Sequence, residues 1–197
     1  MSAPLYQSGC LSLHSLNIEI VELTPDSLDD APAWGDIPFS CRYCLYWEEP
    51  GGDMFVPRDG RAEALRKKKE WVERIRAEAG SCGKIAYVDS RPVGYTQYGP
   101  PRHFPNAWLY EAGPPSEDAV FLSCLFVPWE EMRGQGIGEA LLDAALAELR
   151  NRDSKAVETF ARRGGTNNPS GPLEMYQHRG FRVLREDDQF PLLRLDL

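Results

Sequence analysis

No apolar run in this 197-residue chain is long enough to cross a bilayer, which takes about 20 residues. The opening residues, MSAPLYQSGCLSLHSLNIEIVEL, lack a basic stretch followed by an apolar one. No secretory leader is therefore read, and a cytoplasmic location is expected. Positive charge is in deficit, with 22 Lys and Arg against 30 Asp and Glu, a net charge of −8. That argues against nucleic acid as a partner, which needs a basic footprint, and leans toward a cationic or amine-bearing substrate. Cysteines number five: Cys10, Cys41, Cys44, Cys82 and Cys124. An odd count without a leader argues against a disulfide framework. Cys41 and Cys44 form a C-x-x-C, but no second pair completes a four-ligand zinc site. No metal is expected, and two reduced thiols are the first reading, with a redox pair as the alternative. Repeats, low-complexity tracts and linkers are also missing, so residues 1–15 read as a flexible lead-in and 16–197 as one domain.

What is present is patterned. Apolar residues make up 42% of the chain, enough for an ordinary core. Residues 16–23 alternate apolar and polar, which predicts a half-buried strand, and Thr24, Pro25 and Asp26 signal a short helix after it. Residues 31–60 are rich in Pro, Gly and aromatics and give no regular element; Trp34, Phe39, Tyr43, Tyr46 and Trp47 read as core or lid packing. Residues 61–79 predict a helix with Leu65, Val72, Ile75 and Ala79 near one face and Gly80 as its stop. Glu63/Lys67 and Glu70/Arg74 have i,i+4 spacing, and Arg66, Lys67, Lys68 and Lys69 read as a solvated face. Residues 84–88 and 93–98 predict a hairpin joined through Asp89, Ser90, Arg91 and Pro92. Residues 102–118 read as a loop with a short strand around 107–110. The nearly all-apolar 120–127 predicts a central strand covered on both faces. Next come a helix over 138–150, a strand over 156–161, a loop over 162–172 and a short helix over 173–179, and 181–185 and 192–195 read as final strands.

The sharpest signal is the run Arg133, Gly134, Gln135, Gly136, Ile137, Gly138, set between the central strand and a helix. Small residues let backbone N–H groups close on a phosphate, and the helix adds its positive end. A dinucleotide fingerprint wants G-x-G-x-x-G in a parallel unit; here the spacing is G-x-G-x-G after an antiparallel hairpin. A Walker loop wants Gly-Lys-Ser/Thr, which is absent. A plain tight turn is the remaining competitor. Arg133, Gly136 and Gly138 meet the fixed positions of the acetyl-CoA loop of the GNAT superfamily of N-acetyltransferases, which this run resembles. Downstream, Met175-Tyr176-Gln177-His178-Arg179-Gly180-Phe181 resembles the closing segment of that family, at the matching place in the element order.

The resemblance covers residues 16–197 and implies an α/β (α+β) domain: a mixed, mostly antiparallel sheet flanked by helices and splayed between the central strand and the next. It implies direct acetyl transfer from acetyl-CoA to a primary amine of a small molecule or peptide, with no membrane partner and a homodimer through the C-terminal strands by analogy. Leu125, Phe126 and Val127 would offer backbone groups to the pantetheine arm. Arg133, Gly134, Gln135, Gly136, Ile137, Gly138 and Glu139 would hold the pyrophosphate, with Asn168, then Asn167, on the arm. Tyr176 would protonate the departing thiolate. The general base stays open among Glu158, Glu117, Asp118, Glu111 and a water chain, and His103 is a candidate for substrate contact. Two other functions compete: a non-catalytic acyl-CoA-binding module, and a thiol- or metal-responsive protein using Cys41, Cys44 and Cys82.

Overall fold

A computed structural model describes residues 16–32, 40–164 and 169–197. The expectations for residues 1–15, for Trp34 and Phe39, and for Asn167 and Asn168 lie outside these residues. Among the described residues seven strands form one sheet in the order β1-β2-β3-β4-β5-β7-β6. They are β1 (Ile18–Glu22), β2 (Gly83–Val88), β3 (Arg91–Gly99), β4 (Ala119–Phe126), β5 (Ala156–Phe160), β6 (Arg182–Arg185) and β7 (Leu192–Asp196). Among the strands of the described residues only β4 and β5 are parallel neighbours, and they pair over just three positions, Ala119 with Ala156, Val120 with Val157 and Phe121 with Glu158. Beyond Phe121 they part, so the splayed mixed sheet is as expected.

Helix α1 (Arg61–Ala79) and helix α2 (Ile137–Asn151) cover opposite faces, and α3 (Leu173–His178) joins the α2 side. Strand alternation sorts the core. Ile85, Phe121 and Phe160 pack with Trp71, Val72 and Ile75 of α1. Leu122 and Val157 pack with Leu142, Leu146 and Leu149 of α2, while Ala86 and Val93 meet Ile137 and Leu141. No helix among the described residues is long and apolar enough to cross a membrane.

Local chemistry explains the boundaries. Thr24 and Ser27 cap each other: the Ser27 N–H donates to Thr24 Oγ1 at 3.0 Å and the Thr24 N–H to Ser27 Oγ at 2.8 Å. The expected short helix amounts to one 3-10 turn, Ser27–Asp30. The β2–β3 hairpin turns on Asp89 and Ser90 alone, with φ of 49° and 63°, the left-handed pair that matches strand twist. Arg91 and Pro92 are already in β3, and Pro92 is accommodated by a register shift at Ala86/Tyr87. The strand expected near 107–110 is instead a 3-10 turn, Pro105–Leu109. Helix α1 ends at Gly80, whose N–H closes on Arg76 O at 2.8 Å. Its surface pairs differ from expectation: Arg66 bridges Glu63 and Glu70, and Lys67 reaches Glu49.

One irregularity sets up the site. Gln97 pairs with Cys124 but Tyr98 pairs with Leu122, leaving Ser123 as an extra residue in β4. The bulge reverses the alternation. Cys124 and Phe126 therefore point to the α1 face with Phe121, and Leu125 joins Leu122 on the α2 face.

Candidate active site

Two cavities meet at Phe126, beyond the point where β4 and β5 part. The one on the α2 side has a volume of about 220 Å³. Leu125, Phe126, Val127, Arg133, Gly134, Gly136, Gly138 and Glu139 line it together with Gly171, Pro172 and Met175. Sequence reading thus places eight of its wall residues. Two others named with them lie elsewhere. Ile137 is buried among Ala86, Val88, Val93 and Leu141, and the exposed Gln135 side chain donates to Glu131 O.

The glycines of this loop have a physical reason. Gly134 and Gly136 take φ of +70° and +83°, where a side chain is strained. A Cβ on Gly134 would meet nothing within 4 Å, so packing does not explain the small residue there. Gly138 is different: a Cβ would touch Leu125 and Met175 at 3.4 and 3.5 Å, ordinary contact distances, so the protein's own packing does not demand glycine there. Gly136 sits at the N-cap of α2, where the first helical amides have no helical acceptor. An open, left-handed loop running into orphan amides is a cradle that fits a pyrophosphate. The Arg133 side chain ties this loop to the end of β4, donating to Val127 O at 2.9 Å and Pro128 O at 2.7 Å.

Two groups beside the gap, one backbone and one side chain, already have hydrogen-bond partners. The Leu125 N–H, expected to be unpaired, donates to Pro169 O at 2.7 Å, because a buried amide must find a partner. Tyr176 is fully buried, and its hydroxyl donates to Ser170 O at 3.0 Å. Burial pushes this phenol well above its usual range, so it holds its proton at neutral pH. Ser170 lines one cavity and Gly171 the other, so the Tyr176 hydroxyl sits at the partition between them.

The candidate bases do not reach either cavity. Glu158 stands at the last β4–β5 rung, but Arg194 donates to its Oε1 at 2.8 Å and the Ser116 N–H to its Oε2 at 2.7 Å. With both oxygens engaged and no exposure, it is part of a structural ion pair. Asp118 pairs with the same arginine. Glu117 lines a surface groove beside Trp108, and Glu111 is exposed. His103 pairs with Glu78 of α1 at 2.8 Å and lines neither cavity.

The cavity on the α1 side has a volume of about 270 Å³. The rings of Tyr46, Trp47, Tyr95, Tyr110, Phe126 and Phe190 wall it, with the thiols of Cys41, Cys44 and Cys124. A turn in which the Cys44 N–H donates to Ser40 O at 3.0 Å brings the C-x-x-C there. Asn106 anchors the neighbouring strip by donating to Tyr46 O and accepting from the Gly51 N–H at 3.2 Å. Burial raises the Cys41 thiol to about 12 and Cys44 to about 11, so neither is an activated nucleophile. Cys82 lies apart, against Val72 O, so the trio Cys41, Cys44 and Cys82 is not assembled. Among the described residues no group of three or more His, Cys, Asp or Glu is placed to hold a metal.

Lys68 overturns the reading of its run as solvated. It is 2% exposed and paired with Glu48. Burial alone would lower its pKa, but the charge of Glu48 and the bond to it outweigh burial and leave the ammonium above its ordinary value. Its Nζ also donates to Cys44 O at 3.1 Å and Gln97 Oε1 at 2.7 Å, and the Tyr95 hydroxyl donates to that same Oε1 at 2.6 Å.

Comparison with known proteins agrees with this geometry. The sequence model of the acetyltransferase (GNAT) family matches residues 41–181. No curated protein matches the chain. Among solved structures it is similar to the PaiA N-acetyltransferase of Thermoplasma acidophilum, in complex with coenzyme A, at 17% identity and a TM-score of 0.53, over 92% of this chain and all of that one. An N-acetyltransferase of Staphylococcus aureus Mu50 aligns at 15% identity and a TM-score of 0.56, over 91% of this chain and 98% of the other. The ribosomal-protein-alanine N-acetyltransferase of Brucella melitensis aligns at 18% identity and 0.53, over 91% and 99%. These likenesses establish the fold, and the family match, spanning most of the chain, establishes the lineage: the chain belongs to the acetyltransferase (GNAT) family.

Proposed function

We propose that this protein transfers the acetyl group of acetyl-CoA directly to the nitrogen of an amine. The observation that carries the proposal is the cradle: Gly134 and Gly136 at positive φ, opening onto the first amides of α2 beside the β4–β5 gap. In this reading those amides bind the pyrophosphate, and the pantetheine arm lies along Leu125 to Val127. For the arm to use the Leu125 amide, Pro169 must release it. One well-placed N–H on the thioester oxygen contributes roughly 3 kcal/mol to the transition state. The amine comes from the α1-side cavity, so donor and acceptor meet beside Phe126 and the Ser170–Gly171 peptide.

The N–C bond forms as the C–S bond breaks; the amine loses one proton and the sulfur gains one. Tyr176 is the group proposed to donate toward the sulfur, since it is protonated, buried and at the partition. Glu158 has no part in this scheme. Calorimetric titration with acetyl-CoA, beside NAD and ATP, tests the cofactor class. Binding of acetyl-CoA alone supports transfer; no binding removes it.

A further inference from the structure

Granting that reading, we propose that the α1-side cavity is the acceptor pocket and that it takes a small aromatic amine bearing no acid group. Size and walls come first. An apolar cavity of roughly 150 Å³ takes up a benzene ring, so about 270 Å³ holds a ring with a short arm. Six aromatic side chains wall it, among them Trp47, Tyr110 and Phe190, which suits a flat apolar body. Tyr110 stacks on Phe160 at 4.3 Å and Trp47 on Tyr110 at 5.4 Å, so two of these rings are braced from behind.

Charge decides what the arm carries. Among the described residues, Lys68 is the one charged side chain on the wall. An ammonium has three donors, and all three are committed, to Cys44 O, Gln97 Oε1 and Glu48 Oε1. A carboxylate or phosphate entering the pocket therefore finds no available cation, and its desolvation goes uncompensated.

Glu48 does not change this. Its side chain is buried behind Lys68 and is not part of the wall, and its Oε1 accepts from Lys68 and from Gln97 Nε2, the latter at 2.7 Å. A polyamine, charged along its length, and a peptide backbone both find few partners among these rings.

The test uses the whole protein with phenethylamine, phenylalanine and spermidine as probes. The expected result is acetylation of phenethylamine with kcat/KM at least about tenfold above the other two, about 1.4 kcal/mol of discrimination. Equal or better use of phenylalanine or spermidine overturns the proposal. Calorimetry of phenethylamine without acetyl-CoA reads the pocket apart from the transfer. Loss of acetyl-CoA binding thus counts against the enzyme reading, and absence of phenethylamine binding counts against the pocket.

Discussion

The Leu125 N–H donates to the Pro169 carbonyl at 2.7 Å, beyond the last rung of the β4–β5 ladder. If the thioester arm takes the Leu125 amide, this bond breaks on binding. Amide NMR should then show Leu125 and Ser170 among the resonances that move most on adding acetyl-CoA. A Leu125 signal that stays in place would remove this strand from the binding pose.

Gly136 at φ +83° predicts a sharp response to a side chain. A left-handed backbone costs an ordinary residue roughly 1–2 kcal/mol, and a β-branched one more. Gly136→Val should weaken acetyl-CoA binding by at least about tenfold in calorimetry, whereas Gly138→Ala, at ordinary contact distances, should cost far less. Equal losses at the two positions would contradict the cradle.

Tyr176→Phe removes a hydroxyl that donates to Ser170 O inside the core. Loss of a proton donor lowers turnover by roughly a hundredfold or more. Steady-state kinetics should show that drop with acetyl-CoA affinity within about threefold of wild type. Unchanged turnover with lowered stability would make the hydroxyl a brace for the partition.

Glu158→Ala should separate folding from chemistry. Breaking a buried pair by removing one partner costs about 3–5 kcal/mol. Here Arg194 keeps Asp118 and Asp196, which argues for the lower end. Urea unfolding should show the loss, while kcat/KM per folded molecule stays near wild type. A collapse of kcat in a stable variant would restore Glu158 as a base.

Stability should fall in alkali. Burial lifts Cys41 and Cys82 to about 12 and Cys44 to about 11, while an unfolded thiol titrates near roughly 8.5. The unfolded chain therefore sheds these protons first. The contribution is whole below about pH 8.5 and is lost as pH climbs toward the folded values. The urea midpoint should decline from about pH 8.5 to 10.5, less steeply in Cys82→Ala. A level midpoint would mean the thiols are not buried as described.

The sequence made legible what is local and repetitive. Residues 61–79 and 138–150 carry helical periodicity, and the structure returns α1 and α2 within a residue of those bounds. The glycine loop was readable because its backbone demand is met by few residue types. Lys68 was not, because three of the four residues in its run do face water, and its partner Glu48 comes from a stretch without period. Glu158 misled for the same reason: its partner Arg194 lies 36 residues on, in β7. The bulge at Ser123 leaves no compositional trace, yet it decides which β4 side chains face which cavity. Long-range pairing and a single inserted residue are not encoded in any window.

The three-rung join between β4 and β5 has a thermodynamic side as well. Strands β1 to β4 form one half of the sheet and β5, β7 and β6 the other, and they meet across the shortest ladder the protein has between neighbours of its centre. A molecule that wedges there and bonds to both lips acts as mortar. By mass action, a ligand at about a hundred times its Kd adds about 2.7 kcal/mol to the native state. The substrate-free protein should accordingly melt earlier than the loaded one, so that a cell rich in the donor keeps more of this chain intact.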